Sequence, residues 1–231
     1  MSYFVTGTDT NVGKTLISCA LLYAFAAQGK SVAGMKPVAA GCDNDKLNDD
    51  VKKLRAATNV LTSLGQINPY SFLDPIAPHI AAHKAGVSIN FERILESFNE
   101  LSAQAEEVIV EGAGGFMVPL NKTQDSADLA IALDLPIILV VGMRLGCLNH
   151  ALLTVKVLAD CGLTCAGWVA NILDPDMDAI QENIQALQKR ISAPMLCVVK
   201  HQTLPDAREI STQLNLELLN AHPADNLIHA A

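Results

Sequence analysis

The chain opens with a short apolar run, Tyr3-Phe4-Val5-Thr6, that passes directly into Gly7-Thr8-Asp9-Thr10-Asn11-Val12-Gly13-Lys14-Thr15 and on into a helical pattern over residues 14–28. A strand, a glycine-bracketed loop and a helix in immediate succession leave few folds open, because this is the context a phosphate-binding loop requires. Backbone N–H groups of such a loop converge on phosphate oxygens, and the positive end of the helix dipole adds to their pull. Lys14 is placed to reach β- and γ-phosphates, and the Thr15 hydroxyl to ligate Mg²⁺. Five residues rather than four separate Gly7 from Gly13, so Thr8 stands where the first glycine usually falls and the loop is a variant.

The rest of the chain repeats the opening alternation. Strand-like runs at residues 3–6, 31–37, 107–111, 136–141, 164–171 and 195–199 alternate with helical patterns at 14–28, 90–105, 126–133, 149–161 and 177–191. In the second of these helical patterns, Phe91, Ile94, Leu95, Phe98 and Leu101 fall on one face behind an Asn90 cap. Near-continuous apolar strands between helices predict a P-loop NTPase-like α/β fold, a mostly parallel central sheet with helices on both faces. With no repeat, linker or low-complexity tract, residues 1–231 are expected to form a single domain, with residues 42–50 its mobile loop and the tail after Leu219 frayed.

Composition narrows the partners. Half of the 231 residues are apolar and 17% are charged, below the roughly 25% usual for soluble domains, so a large core is available and disorder is excluded. Sixteen Lys and Arg against 24 Asp and Glu give a net charge of −8, which argues against nucleic acid or an anionic membrane surface as a partner. No run approaches the ~18 apolar residues of a membrane span. No secretory leader precedes the first motif, and a cytoplasmic protein is expected. The six cysteines, Cys19, Cys42, Cys147, Cys161, Cys165 and Cys197, contain no C-x-x-C pair and read as reduced thiols. His79 and His83 have the spacing of one helix face, but a zinc site needs further ligands.

Three further segments carry candidate chemistry. Val108-Ile109-Val110-Glu111-Gly112-Ala113-Gly114-Gly115 ends an apolar strand in a carboxylate, where the metal-linked acid of nucleotide enzymes sits, and its glycines permit close backbone approach. Gly34-Met35-Lys36-Pro37-Val38 puts a lysine at a strand's carboxyl end, either to stabilise charge on transferred oxygens or simply to face solvent. Gly142-Met143-Arg144-Leu145-Gly146-Cys147-Leu148-Asn149-His150 joins a strand to a helix whose opening amides can hold an anion. Cys147 and His150 read as a packed thiol and a capping histidine rather than as nucleophile and base.

Taken together, these segments resemble the dethiobiotin synthetases. The resemblance runs from residue 3 to about residue 200 and also takes in Asn68-Pro69-Tyr70, Pro78-His79-Ile80 and Gly167-Trp168-Val169-Ala170-Asn171. It implies a homodimeric ligase that uses ATP and Mg²⁺ to close the ureido ring of dethiobiotin from 7,8-diaminopelargonate and CO₂, through a carbamate and a carbamic-phosphoric mixed anhydride. It implies catalytic roles for Lys36, Lys14 and Thr10, and Mg²⁺ ligation by Thr15, Asp50 and Glu111, with Asp49 a neighbouring candidate for the place of Asp50. ATP contacts are implied at Asn11, Val12, Gly13, Lys14, Thr15 and Leu16, at Glu111, Gly112, Ala113 and Gly114, and at Asn171, Lys200, His201 and Gln202 on the base side. Substrate contacts are implied at Ala40 and at Leu145, Gly146, Cys147, Leu148 and Asn149, the last five holding the substrate carboxylate across the dimer interface.

Three positions depart from the family pattern. Ala40 stands where Ser or Thr is usual, Asn11 where Glu is frequent, and Lys200-His201-Gln202 where Pro and apolar residues flank the base, so altered base selectivity is expected. Other classes fit less well. A partner-driven switch ATPase with a deviant loop typically carries a lysine near the loop's start, and residues 7–12 have none. A glutamine-dependent amide synthetase needs an extra glutaminase domain, and a small-molecule kinase an Arg-rich lid.

Overall fold

The computed structural model describes residues 2–43 and 47–220. In chain order its elements are β1 (Tyr3–Gly7), α1 (Lys14–Ala27), β2 (Val32–Met35), β3 (Val38–Ala40), α2 (Asp49–Ala57), α3 (Leu64–Ile67), β4 (Tyr70–Phe72), α4 (Pro78–Lys84) and α5 (Phe91–Ser102). There follow β5 (Glu107–Glu111), α6 (Ser126–Leu133), β6 (Ile137–Met143), α7 (Cys147–Asp160), β7 (Cys165–Ile172), α8 (Ile180–Gln188), β8 (Met195–Val199), α9 (Ala207–Ser211) and α10 (Glu217–Asn220).

Six strands form one sheet in the order β2-β5-β1-β6-β7-β8, and every neighbouring pair is parallel. Successive strand residues face opposite layers, as the two-residue period demands. Tyr3 and Val5 join Ile138, Val140 and Val169 in the layer under α1, α2 and α9. Phe4, Val108 and Val110 face α5 and α6, and Leu139, Val141, Trp168 and Ala170 face α7 and α8. Both faces are therefore covered, which is why the strands are apolar along most of their length. Among the described residues no helix is long and apolar enough to cross a membrane.

The amphipathic face expected around Ile94 is realised in α5, where Phe91, Ile94 and Leu101 are buried and Asn90 Oδ1 accepts the Glu92 N–H at 2.8 Å. Elsewhere the structure redraws boundaries. The strand expected over residues 31–37 stops at Met35, and the chain resumes as β3, which pairs parallel with β4 in a separate two-stranded sheet. The expected loop over residues 42–50 ends earlier than read, because α2 begins at Asp49; residues 44–46 lie outside the described set. Of the tail, 221–231 lies outside it too.

The third redrawn boundary is the helix expected from Asn149, which starts at Cys147. Its cap is Gly146, at φ 93°, a left-handed conformation that glycine adopts without steric cost. Asn149 therefore sits inside the first turn. Of the amides that open the helix, that of Cys147 is already bonded to the Arg144 carbonyl at 3.0 Å.

Candidate functional site

The loop between β1 and α1 is shaped by close packing. Gly13 caps α1 at φ 96°, and a Cβ there would lie 2.3 Å from the Asn171 amide nitrogen, so glycine is required on both counts. Asn11 takes a left-handed φ of 59°, which asparagine tolerates better than most residues. Val12 is buried beneath the loop, and its carbonyl accepts a hydrogen bond from Asn171 Nδ2 at 2.8 Å. Asn171 thus uses one amide hydrogen to hold the phosphate loop. Its second hydrogen and its carbonyl oxygen keep the capacity to read a base edge.

Around this loop the carboxyl ends of three strands and the start of α2 bring charged side chains together. Lys36, directly after β2, is 5% exposed and places Nζ 2.5 Å from Glu111 Oε1, 3.1 Å from Asp50 Oδ2 and 3.3 Å from the Gly112 carbonyl. All three ammonium protons are therefore used. Burial alone favours the neutral amine, but Glu111 and Asp50 outweigh it and raise the Lys36 pKa, so Lys36 is a cation. Burial likewise opposes the Asp50 carboxylate, and Lys36 together with the Thr15 hydroxyl more than offsets it, holding Asp50 below its ordinary range.

Thr15 Oγ1 lies 2.7 Å from Asp50 Oδ1 and 2.9 Å from Glu111 Oε1. A hydroxyl has one proton, so it can donate to only one of these carboxylates, and the other contact sets two acceptor oxygens against each other. Glu111 Oε2, moreover, is buried without a partner. A hard divalent cation removes both difficulties, being ligated by oxygen alone. Thr15, Asp50 and Glu111 therefore fit Mg²⁺.

Residues outside the recognised motifs build this arrangement. Asn48 caps α2 by accepting the Asp50 N–H at 2.8 Å, and its Nδ2 donates to the Ala40 carbonyl at 3.0 Å. That tie directs Asp50 inward, while Asp49, one residue round the helix, is exposed and pairs with Lys52. The choice between the two adjacent acids thus falls on Asp50 by geometry. Asn68 Nδ2 donates to the Lys36 carbonyl at 2.6 Å and to that of Tyr70 at 2.9 Å, and the Lys36 N–H bonds Ile67 at 2.8 Å. Asn68 and Asn48 were the residues that reading the sequence missed as site builders. The Asn68-Pro69-Tyr70 match was the one available signal.

Lys14 is buried, with Nζ donating to the Asp9 carbonyl at 2.9 Å. Burial, and after it the like charge of Lys36, bring its pKa down to about 8. Thr10 lies exposed at the loop's crest, near Gly114. Leu16 is half-buried in the first turn of α1, and Gly112, Ala113 and Gly114 follow β5 beside the cluster. Lys200 and His201 are exposed just beyond β8, and Gln202 Nε2 is 3.4 Å from Glu209. The register pairs Asn171 with Val199, so these residues continue from the strand beside it.

At the other end of the site Leu145 is 92% exposed while Cys147 is buried. Burial pushes the thiols of Cys19, Cys165 and Cys197 up to about 12, leaving them unreactive at neutral pH.

A phosphate loop at the carboxyl end of an inner strand of an all-parallel sheet, flanked by a lysine and two acids, defines a P-loop NTPase. Solved structures agree on the fold. The septum site-determining protein MinD from Pyrococcus horikoshii superposes with a TM-score of 0.51 at 16% identity over 87% of this chain and 82% of that one. MinD from Aquifex aeolicus gives 0.52 at 14% identity over 92% and 85%. A family model described as an AAA domain matches residues 1–208. The ATP-dependent dethiobiotin synthetase BioD of Nitrosospira multiformis is 53% identical over 214 residues, 93% of this chain and 94% of the relative. That of Aromatoleum aromaticum is 52% identical over 218 residues, covering 93% and 97%. The chain belongs to the dethiobiotin synthetase family.

Proposed function

We propose that the protein is an ATP-dependent dethiobiotin synthetase: it closes the ureido ring of dethiobiotin from 7,8-diaminopelargonate, CO₂ and ATP, releasing ADP and phosphate. One observation carries the reading beyond the family match. Lys36, Asp50, Glu111 and Thr15 interlock at the foot of the phosphate loop, where a transferring phosphoryl group needs both positive charge and oxygen ligands.

In this reading one amine of the diamine takes up CO₂ as a carbamate, a poor electrophile. Transfer of the γ-phosphoryl group to a carbamate oxygen forms a mixed anhydride and leaves ADP. The second amine then attacks the carbamoyl carbon, the C–O bond to phosphate breaks, and the ring closes. Lys14 and the loop amides bind the phosphates, Thr10 orients the carbamate at the crest of the loop, and Lys36 stabilises charge on the oxygens between carbamate and phosphate. Thr15, Asp50 and Glu111 would hold Mg²⁺, which would supply charge neutralisation at the phosphates. No protein nucleophile is required.

The diamine's far carboxylate needs an anion trap, and the residues around the start of α7, Leu145, Gly146, Cys147, Leu148 and Asn149, form a helix N-terminus that offers amides beyond that of Cys147, which the Arg144 carbonyl already holds. We place this segment across a homodimer interface, a reading supported by Leu145, a large apolar side chain left in solvent by the isolated chain. Ala40 lines the diamine side without the hydroxyl usual there. The whole 231-residue chain acts as one domain. The compartment proposed is the cytoplasm, where all six cysteines stay free thiols.

The test is ATP turnover with and without the diamine and bicarbonate, with mass analysis of the product. Phosphate release that depends on both, with dethiobiotin formed, is the expected result. Hydrolysis indifferent to the diamine would identify a switch ATPase instead.

A further inference from the structure

The phosphate loop contains a group of the wrong sign for its ligand. Asp9 lies between Gly7 and Gly13 with its side chain 44% exposed, and a carboxylate there repels an incoming polyphosphate. The structure gives it a shaping role all the same. Its Oδ1 accepts the Thr10 N–H at 2.7 Å, and its carbonyl accepts Lys14 Nζ at 2.9 Å.

Its charge is met from the other side of the loop. Asp9 Oδ2 pairs with the guanidinium of Arg144, which follows β6 and lies 135 positions away in sequence. The same seam is stitched by the Thr8 N–H to the Val140 carbonyl at 3.0 Å and by the Gly142 N–H to Thr8 Oγ1 at 3.3 Å. Arg144 is therefore anchored at a fixed edge of the loop. Its carbonyl also accepts the first amide of α7.

We propose that Arg144 is a positioning residue for nucleotide binding, acting through Asp9: it holds the Asp9 side chain in place and cancels its charge, so that the loop meets the phosphates as a net cationic surface. This rests on the reading of the loop as the ATP site. The contribution is modest, because both side chains are more than two-fifths exposed and water screens the pair.

The experiment compares calorimetric binding of a nonhydrolysable ATP analogue with Mg²⁺ across variants, with thermal melting as the check on folding. Arg144→Ala should weaken binding about five- to tenfold, the scale of one half-exposed charge. Arg144→Lys should recover most of the loss, and the gap should narrow as salt is raised. The decisive protein is the double variant Arg144→Ala with Asp9→Asn. Asparagine keeps the Oδ1 acceptor for Thr10 and removes the charge, so affinity should return toward wild type, which loss of a merely structural contact would not allow. Arg144→Gln serves in the same comparison if the alanine variant folds poorly. Wild-type affinity in the single Arg144 variants, or a double variant as weak as the single, overturns the proposal. If wild type itself fails to bind the analogue, the ATP-site reading fails instead.

Discussion

The two ends of the candidate site are built to opposite standards. At the phosphate end, Lys36 is 5% exposed and every donor it has is used by Glu111, Asp50 or Gly112. At the α7 end, Leu145 is 92% exposed and its neighbours Gly146 and Asn149 also face solvent. One end is interlocked by ion pairs and hydrogen bonds within a single chain, and the other places a large apolar side chain at the surface. Phosphoryl transfer needs preorganised charge, which only a packed, water-poor cluster maintains. In the proposed reading, the α7 end needs only a few correctly placed amides to hold a carboxylate at the end of a flexible chain, with a second subunit to cover them.

The sharpest way to break this contrast is to remove a lysine from the phosphate end. Lys36→Ala and Lys14→Ala should each reduce turnover by at least ~10²-fold, the scale of a lost transition-state stabiliser. Taking away Lys36 also leaves the buried Glu111 without its cation, a change worth about 3–5 kcal/mol for a buried pair. Turnover is therefore measured at saturating Mg²⁺ beside a melting curve. A well-folded Lys36→Ala enzyme with near-normal turnover would remove that residue from the chemistry.

At the α7 end a smaller and more selective loss is expected. Leu145→Glu, placed in an interface by the dimer reading, should yield monomers by sedimentation and lower kcat/KM for the diamine roughly tenfold or more, with ATP affinity little changed, given that one buried apolar side chain is worth about 1.5–3 kcal/mol. A monomer with wild-type kcat/KM for the diamine would show that each chain completes its own site.

The smallest effect concerns the base. Asn171 spends one amide hydrogen on the Val12 carbonyl, and the polar Lys200, His201 and Gln202 lie beyond β8. Discrimination among ATP, CTP and GTP should accordingly stay below ~10³-fold, about 4 kcal/mol, in competition binding. A stronger preference for ATP would mean that the altered segment takes no part in reading the base.

What the sequence determined by itself was local or periodic. The six strands of the main sheet, the glycine loop, Lys14 and Thr15 beside each other, and Glu111 at a strand end all lie within a few residues of the pattern that announces them, because a strand's period and a loop's spacing are properties of consecutive residues. What only the tertiary structure decided depends on contacts between distant parts of the chain. Asp50 was chosen over Asp49 by the Asn48 cap and its tie to Ala40, and Lys36 found its partners 14 and 75 positions away. Asn68 became the clamp on the Lys36 backbone, and Arg144, in sequence only one residue of a strand-to-helix loop, closed on Asp9. Even the start of α7 moved, because a left-handed glycine can open a helix where an asparagine three residues later looks the better cap. Periodicity records which face of an element is buried, and the identity of the group that meets it there is set only when the elements pack.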